Sequence, residues 1–331
     1  MADVEFVRDE PSEIPERAAK KSIPSDYIPI KLSTLGKLDT PAIIHVRDYT
    51  GSNILTLAAA RDVNFLNRLI DVLDDVVYEG FDCKYLHEYE LEEIMLNILA
   101  NFWTSTIQNY PYPYEQDEYD TMDDERKENI TKGLENLQVD IPISSLKTNP
   151  ISKEFKEPIS INIKGKTVQF ILPRIIHFFN SQSYIEEKYS REYQEFSYIE
   201  QIYDIEDKDK RKAELDKIPH KELIRYRDFS DKRGVDYIIA KQSQLIYGVG
   251  GKEIKSLQDK IKAYNSNISI KFWKTYGVIA EKQSEFGVNK EVNMISPITN
   301  EPVTRRCQFR PVDYIPSNEA PDSGEYTVLF G

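Results

Sequence analysis

The stretch Pro158–Pro173, PISINIKGKTVQFILP, decides the class of fold. Ile159, Ile161 and Ile163 alternate with polar residues, Val168, Phe170 and Leu172 repeat the pattern, and Lys164-Gly165-Lys166 supplies a turn. That is the signature of a β-hairpin with one buried face. Immediately downstream the period changes from two to about three and a half. Residues 173–217 read as helix, with Ile185, Tyr189, Tyr193, Phe196, Ile199 and Tyr203 along one stripe. A chain that moves from a closed hairpin into long helices is expected to be α+β and mainly helical, with small hairpins or sheets and inserted elements.

Working outward, Val235–Tyr247 and Lys252–Tyr264 read as two more helices, the second carrying Ile254, Leu257, Ile261 and Tyr264 at spacings of three and four. Between them lies YGVGGKEIKS, Tyr247–Ser256. A phosphate-binding loop would need four residues between its first glycine and a Gly-Lys pair, then Ser or Thr for magnesium. Here Lys252 is followed by Glu253, whose charge opposes phosphate, so the glycines read as a helix cap and turn. Ser269–Lys282 is a further helical candidate. Upstream, Ala42–Tyr49 reads as a strand, and Leu55, Leu57, Ala58 and Ala59 as a short helix. Asp62 can cap a helix with Phe65, Leu66, Leu69, Ile70, Leu73, Val76 and Val77 on one stripe. Glu88–Ile107 has apolar residues at helical spacing and acidic residues in its first turn, where the helix dipole favours them. An acidic run with Asp117, Glu118, Asp120, Asp123, Asp124 and Glu125 follows, then a short helix over Glu128–Leu137 and an irregular connector over Ile141–Glu157.

The expected organisation is a flexible arm over 1–22, an α/β unit over 23–112 and an acidic linker over 113–157. A hairpin-plus-helix domain over 158–290, a knuckle-like hairpin over 291–315 and a tail over 316–331 complete it. The net charge is −13, from 56 acidic and 43 basic residues, which argues against duplex nucleic acid as the main partner. Cys83 and Cys307 are too few and too far apart for a secreted disulfide framework, so a reducing compartment is expected. The charged N-terminal stretch has no apolar core of a signal peptide, and no run of about 18 apolar residues predicts a membrane span.

Chemistry is sparse. His45, His87, His177 and His220 are scattered, without a nucleophile elbow or a zinc-binding His-Glu helix. His177, inside RIIHFFN, reads as a hydrogen-bonded histidine at the edge of a core. The acidic run lacks the spacing and glycine of a calcium loop and reads as a solvated surface. The aromatic stripe from Ile185 to Tyr203 is flanked by Glu186, Glu187, Glu192, Glu195 and Glu200, which disfavours base stacking and favours burial against another helix or a partner subunit. No catalytic residue, cofactor or metal is expected.

Near the C-terminus, Asn293–Pro311 reads NMISPITNEPVTRRCQFRP. Two strand-like runs flank a tight middle in the style Cys-Pro-x-Cys-Gly, with Ser296, Thr299 and Asn300 where two cysteines and the glycine would stand. A strand ending in Arg47-Asp48-Tyr49-Thr50, a helical unit, the 158–173 hairpin, further helices and this knuckle follow one another in order. That order resembles the baseplate hub and tail assembly proteins of T-even-type contractile-tailed phages, over Tyr27–Tyr110 and Ile159–Tyr314. Members of that family commonly carry the cysteine knuckle. Ser296 and Thr299 offer neither thiolate nor imidazole, so the resemblance implies a turn kept without its metal. Pro297 and Asn300 would hold that turn, with Val292, Met294, Val303 and Phe309 packing.

The resemblance implies a non-enzymatic phage tail or baseplate protein, structural or acting in assembly, resident in the virion or in the host cytoplasm while tails form. Its partners would be other tail proteins, or a second copy of the chain, with no membrane involved. Tyr189, Tyr193, Phe196, Phe309 and Arg310 are the expected contact residues. The alternatives are an intracellular phage enzyme or regulator acting on nucleic acid or nucleotides, for which His177, His220 or the acidic run would have to converge, and a capsid or neck component.

Overall fold

A computed structural model describes residues 23–309 except 39, 61, 79–80, 164, 206, 268–276 and 278–285, together with residue 313. The fold is α+β and mainly helical, with small antiparallel sheets. The first core starts with β1 (Ile28–Lys31) paired to β2 (Ile43–Val46), Ile28 opposite Val46. Helix α1 (Gly51–Ala58) follows a reciprocal cap, in which Thr50 and Asn53 bond each other's backbone N–H. Helix α2 (Asp62–Val76) buries the expected stripe, with Leu69, Ile70, Leu73 and Val76 at 0–1% exposure.

Helix α3 (Glu88–Ile98) is shorter than its apolar spacing predicts. One wide turn, Leu99–Trp103, ends it, and β3 (Thr106–Pro111) begins. Asn97 and Asn101 each donate a side-chain N–H to the carbonyl four residues back, and Thr104 closes a local loop with Thr106. Such side chains draw the backbone out of helix, and Thr104, Thr106 and Ile107 favour extended chain. The segment read as an irregular connector contributes strand as well. After α4 (Gln116–Thr121) and α5 (Asp124–Thr131), β4 (Gln138–Pro142) pairs with β3, and β5 (Thr148–Asn149) follows.

The second core is the hairpin expected from 158–173, now β6 (Ile159–Ile163) and β7 (Lys166–Phe170), with Ile161 opposite Val168. Helices α6 (Ile175–Lys188), α7 (Ser190–Tyr203), α8 (Lys208–Leu215) and α9 (His220–Gln244) come next. The chain then returns as β8 (Ile246–Val249) and β9 (Lys252–Glu253), giving a four-stranded sheet of order β6-β7-β8-β9. This corrects the reading of Tyr247–Ser256 as a turn between helices. Gly250 and Gly251, at φ +61° and +79°, make the two left-handed positions of a hairpin turn instead. Helix α10 (Leu257–Asn267) packs on α9, and its Tyr264 hydroxyl donates to Gln242 at 2.6 Å.

Strand β10 (Gly287–Val288) pairs with β5, and β11 (Glu291–Ile295) with β12 (Pro302–Arg306) forms the last hairpin. Val292, Cys307 and Phe309 sink into the same core as β1–β4 and α1–α3, so the chain's last described strands complete its first unit. A third, aromatic core joins the end of α6 and α7 to the first half of α9. The expected helix over Ser269–Lys282, the 1–22 arm and the 316–331 tail lie outside the described residues, Gly277 excepted. Among the described residues, no helix is long and apolar enough to cross a membrane.

Two glycines separate packing from propensity. A Cβ on Gly248 would sit 2.5 Å from the Lys252 carbonyl oxygen, whereas one on Gly234, within α9, would meet nothing within 4 Å. Gly248→Ala is expected to cost about 2 kcal/mol in urea unfolding. Gly234→Ala should instead gain about 0.5–1 kcal/mol.

Candidate functional site

The β11–β12 turn is built as a knuckle. The Ser296 Oγ accepts the backbone N–H of Ile298 and of Thr299, both at 3.2 Å. Asn300 donates its N–H to the Ser296 carbonyl and takes a left-handed φ of +59°, while Ser296 N bonds the Glu301 carbonyl. A hydroxyl therefore gathers the two N–H groups, and Asn300 sits at the position where glycine is usual. Val292 packs in the core and Met294 against it; Val303 is half-buried.

A polar staple fixes this turn to the acidic segment. Tyr112 donates its hydroxyl to Glu118 Oε1 at 2.6 Å, and Arg305 bonds Glu118 Oε2 at 2.5 Å and lies 3.4 Å from Glu115. Arg126 donates to the Pro297 carbonyl at 3.3 Å and pairs with Glu135. Glu118 and Arg305 are nearly buried, so this is an ion pair shielded from water. Burial would raise the Glu118 pKa, but hydrogen bonds from Tyr112, Arg305 and Ser296 outweigh it and hold the carboxyl down at about 2. Glu118, read as one of a solvated run, is instead the buried centre of the staple. Its sequence signal is faint: an acid four residues after the end of YPYPY, with the basic pair Arg305-Arg306 far away in the chain.

The expected partner-contact residues fall elsewhere. Tyr189 and Phe196 are 4% and 3% exposed and Tyr193 is half-buried, all three packed against Phe229 of α9. Tyr189 also donates to Asp236, and Arg233 stacks over Tyr193 and bonds Glu200 at 2.6 Å. The aromatic stripe is thus covered by the chain's own helix, the first of the two alternatives its acidic flanks allow, and Tyr189 and Phe196 are too buried to be the contact residues expected of them. Phe309 is likewise in the first core, 5.1 Å from the Tyr110 ring. Arg310 lies outside the described residues. Among the described residues, apolar side chains that face solvent are scattered: Leu134 and Leu55 are the most exposed, at 74% and 72%, and Val235 and Ile238 on α9 and Ile295 on β11 are about half exposed.

His87 and His177 are buried at the starts of α3 and α6. Each ring Nδ1 accepts a nearby backbone N–H, from Tyr89 and Arg174 respectively. Burial, then the Arg174 charge, pushes both pKa values down to about 3, so both rings are neutral structural acceptors. His220 is exposed at the start of α9. Among the described residues, no group of three His, Cys, Asp or Glu is placed to hold a metal ion. A shallow cavity of about 570 Å³ is lined by Arg47, Asp74, Asp75 and Asp82, but its carboxylates serve the fold: Asp74 accepts from Cys83 N, and Asp75 from Arg47 and Asn53. A cleft of about 360 Å³ lies between β4 and β11, lined by Val139, Pro142, Met294 and Ile295. Compared with family models, curated proteins and solved structures, the chain matches none.

Removing the hydroxyl in Ser296→Ala leaves two turn N–H groups without their acceptor and should cost about 1–2 kcal/mol by urea unfolding. Arg305→Ala, which strands Glu118, should cost about 3 kcal/mol. Because the folded pKa of Glu118 is depressed, its contribution is present above the ordinary carboxylate range of about 4.3 and is lost as pH falls towards 2. Thermal melts between pH 5 and pH 2 should therefore fall less steeply for Glu118→Gln than for the wild type.

Proposed function

We propose that the chain is a non-enzymatic component of a contractile phage tail, a baseplate or hub protein that works structurally or in assembly by docking to other tail proteins. The observation that carries this reading is the knuckle. The Ser296 hydroxyl accepts two turn N–H groups and Asn300 takes a left-handed φ, which supports reading Ser296–Asn300 as a Cys-Pro-x-Cys-Gly turn without its metal. A shape maintained by a hydroxyl and a buried ion pair, rather than by a reactive centre, suits a part that fits against other parts. His87 and His177 serve helix starts, and Asp74 and Asp75 of the acidic cavity are engaged within the fold. Docking would use exposed apolar side chains such as Val235 and Ile238, which share one face of α9, and Ile295 beside the β4–β11 cleft. The chain would then reside in the virion tail, or in the host cytoplasm while tails assemble.

Quantitative mass spectrometry of purified particles, beside lysate from the same infection, tests this. A fixed small copy number per particle is expected of a tail component. Absence from particles with tail proteins co-purifying from lysate would make it an assembly factor. Absence from particles with no tail protein bound would overturn the reading.

A further inference from the structure

Helix α3 carries four glutamates in six residues, Glu88, Glu90, Glu92 and Glu93, in the middle of the first core. Glu90 and Glu93 are 0% and 1% exposed. They face the segment after β1, which bridges two cores: Leu32 is buried in the first and Leu38 in the second. Ser33 donates its N–H to Glu93 Oε2 at 2.8 Å, and the hydroxyls of Thr34 and Thr40 both reach Glu90 Oε1. On its far side the segment holds the second unit, the Ser33 carbonyl accepting from Ile151 N at 2.8 Å and Lys37 donating to the Ser152 carbonyl at 2.7 Å. The segment is a clasp, and α3 is its anchor.

The two anchoring carboxyls are built differently. Glu90 accepts from Thr34 and Thr40 on one oxygen and from His87 N, at 2.9 Å, on the other; burial raises its pKa, and these three donors and the Arg174 charge work against that and favour the carboxylate. Glu93 has the single Ser33 N–H on Oε2, and its buried Oε1 has no hydrogen-bond partner among the described residues. The charged groups around it are Glu90 and Glu92 on its own helix. Among cations, Lys290 is committed to Glu92 at 2.8 Å, Arg174 bears on Glu90 and His87 but is bound to Glu157, and Lys37 points to carbonyls. Two buried carboxyls one turn apart do not both ionise cheaply, and the one with fewer donors keeps its proton.

We propose that this pair is a pH-dependent clasp: Glu90 as carboxylate and Glu93 as neutral acid hold segment 32–40 across the two cores, and ionisation of Glu93 loosens that segment. Burial of Glu93 and the nearby charges of Glu90 and Glu92 raise its pKa to about 7, against hydrogen bonds from Ser33. A folded pKa above the unfolded one gives a contribution present at low pH and lost as pH rises from about 4.3 to 7.

Hydrogen exchange on the full chain, corrected for intrinsic rates, reads this out. From pH 5.5 to 8.5 the protection of amides in 32–40 should fall about thirtyfold, one factor of ten per pH unit up to the folded pKa, while β7 amides hold theirs. Glu93→Gln, isosteric with the neutral acid, should abolish the slope; Glu90→Gln should lower protection at both pH values. A wild type without the slope, or a Glu93→Gln variant that keeps it, overturns the proposal. Carboxyl carbon NMR of the wild type covers the case of a variant that does not fold. The assigned Glu93 carboxyl, told apart from that of Glu88, which burial also raises to about 7, is expected to titrate near 7; a Glu93 carboxyl that titrates below 6 overturns the proposal.

Discussion

The buried ion pair of Arg174 with Glu157 stands where the two main cores meet, and most of the architecture is referred to it. Arg174 Nη2 lies 2.6 Å from Glu157 Oε2, both side chains nearly excluded from water. Arg174 also donates to the Leu172 carbonyl, and Glu157 accepts the Leu172 N–H, so the pair closes the end of β7 on the chain leading into β6. Its backbone bridges to His87 at the head of α3, and Ile175 donates to the Leu86 carbonyl. One guanidinium thereby sets the sheet, α3 and α6 against each other. A buried charge of this kind is tolerable only with its partner in place, and loss of either member typically costs 3–5 kcal/mol.

Much of the fold was legible where a single face is apolar. The α2 stripe and the β6–β7 hairpin announce themselves because burial on one side imposes a period, and their residues are buried as that period requires. What stayed hidden follows from the same rule. The first four turns of α9, HKELIRYRDFSDKRG, are charged on most sides, and their aromatic contacts with α7 come from Tyr226 and Phe229, so no apolar period marks them. Only the second half of α9 is legible, so the sequence leaves open whether another helix or a partner subunit covers the Tyr189–Phe196 stripe. The β8–β9 hairpin carries no legible period because its strands are four and two residues long and one of those six positions is a glycine.

The candidate site was legible in outline only. The cadence of Asn293–Pro311 gave the hairpin and its turn, down to Asn300 in the glycine position. The staple was not legible, since Tyr112, Glu118 and Arg305 come from segments nearly two hundred residues apart and each is an ordinary surface residue type. The first core shows the same limit on a larger scale: Val292, Cys307 and Phe309 complete a unit begun at Ile30, a closure that no local pattern encodes.

Helix α9 belongs to two cores at once. Its Phe229 lies in the aromatic cluster with α7, while Ile239 packs on the sheet core and the chain continues from its end into β8. As 25 unbroken residues it spans about 37 Å. Held at one end by the aromatic core and at the other by the sheet that β8 joins to β7, it fixes the spacing of those two cores as a strut does.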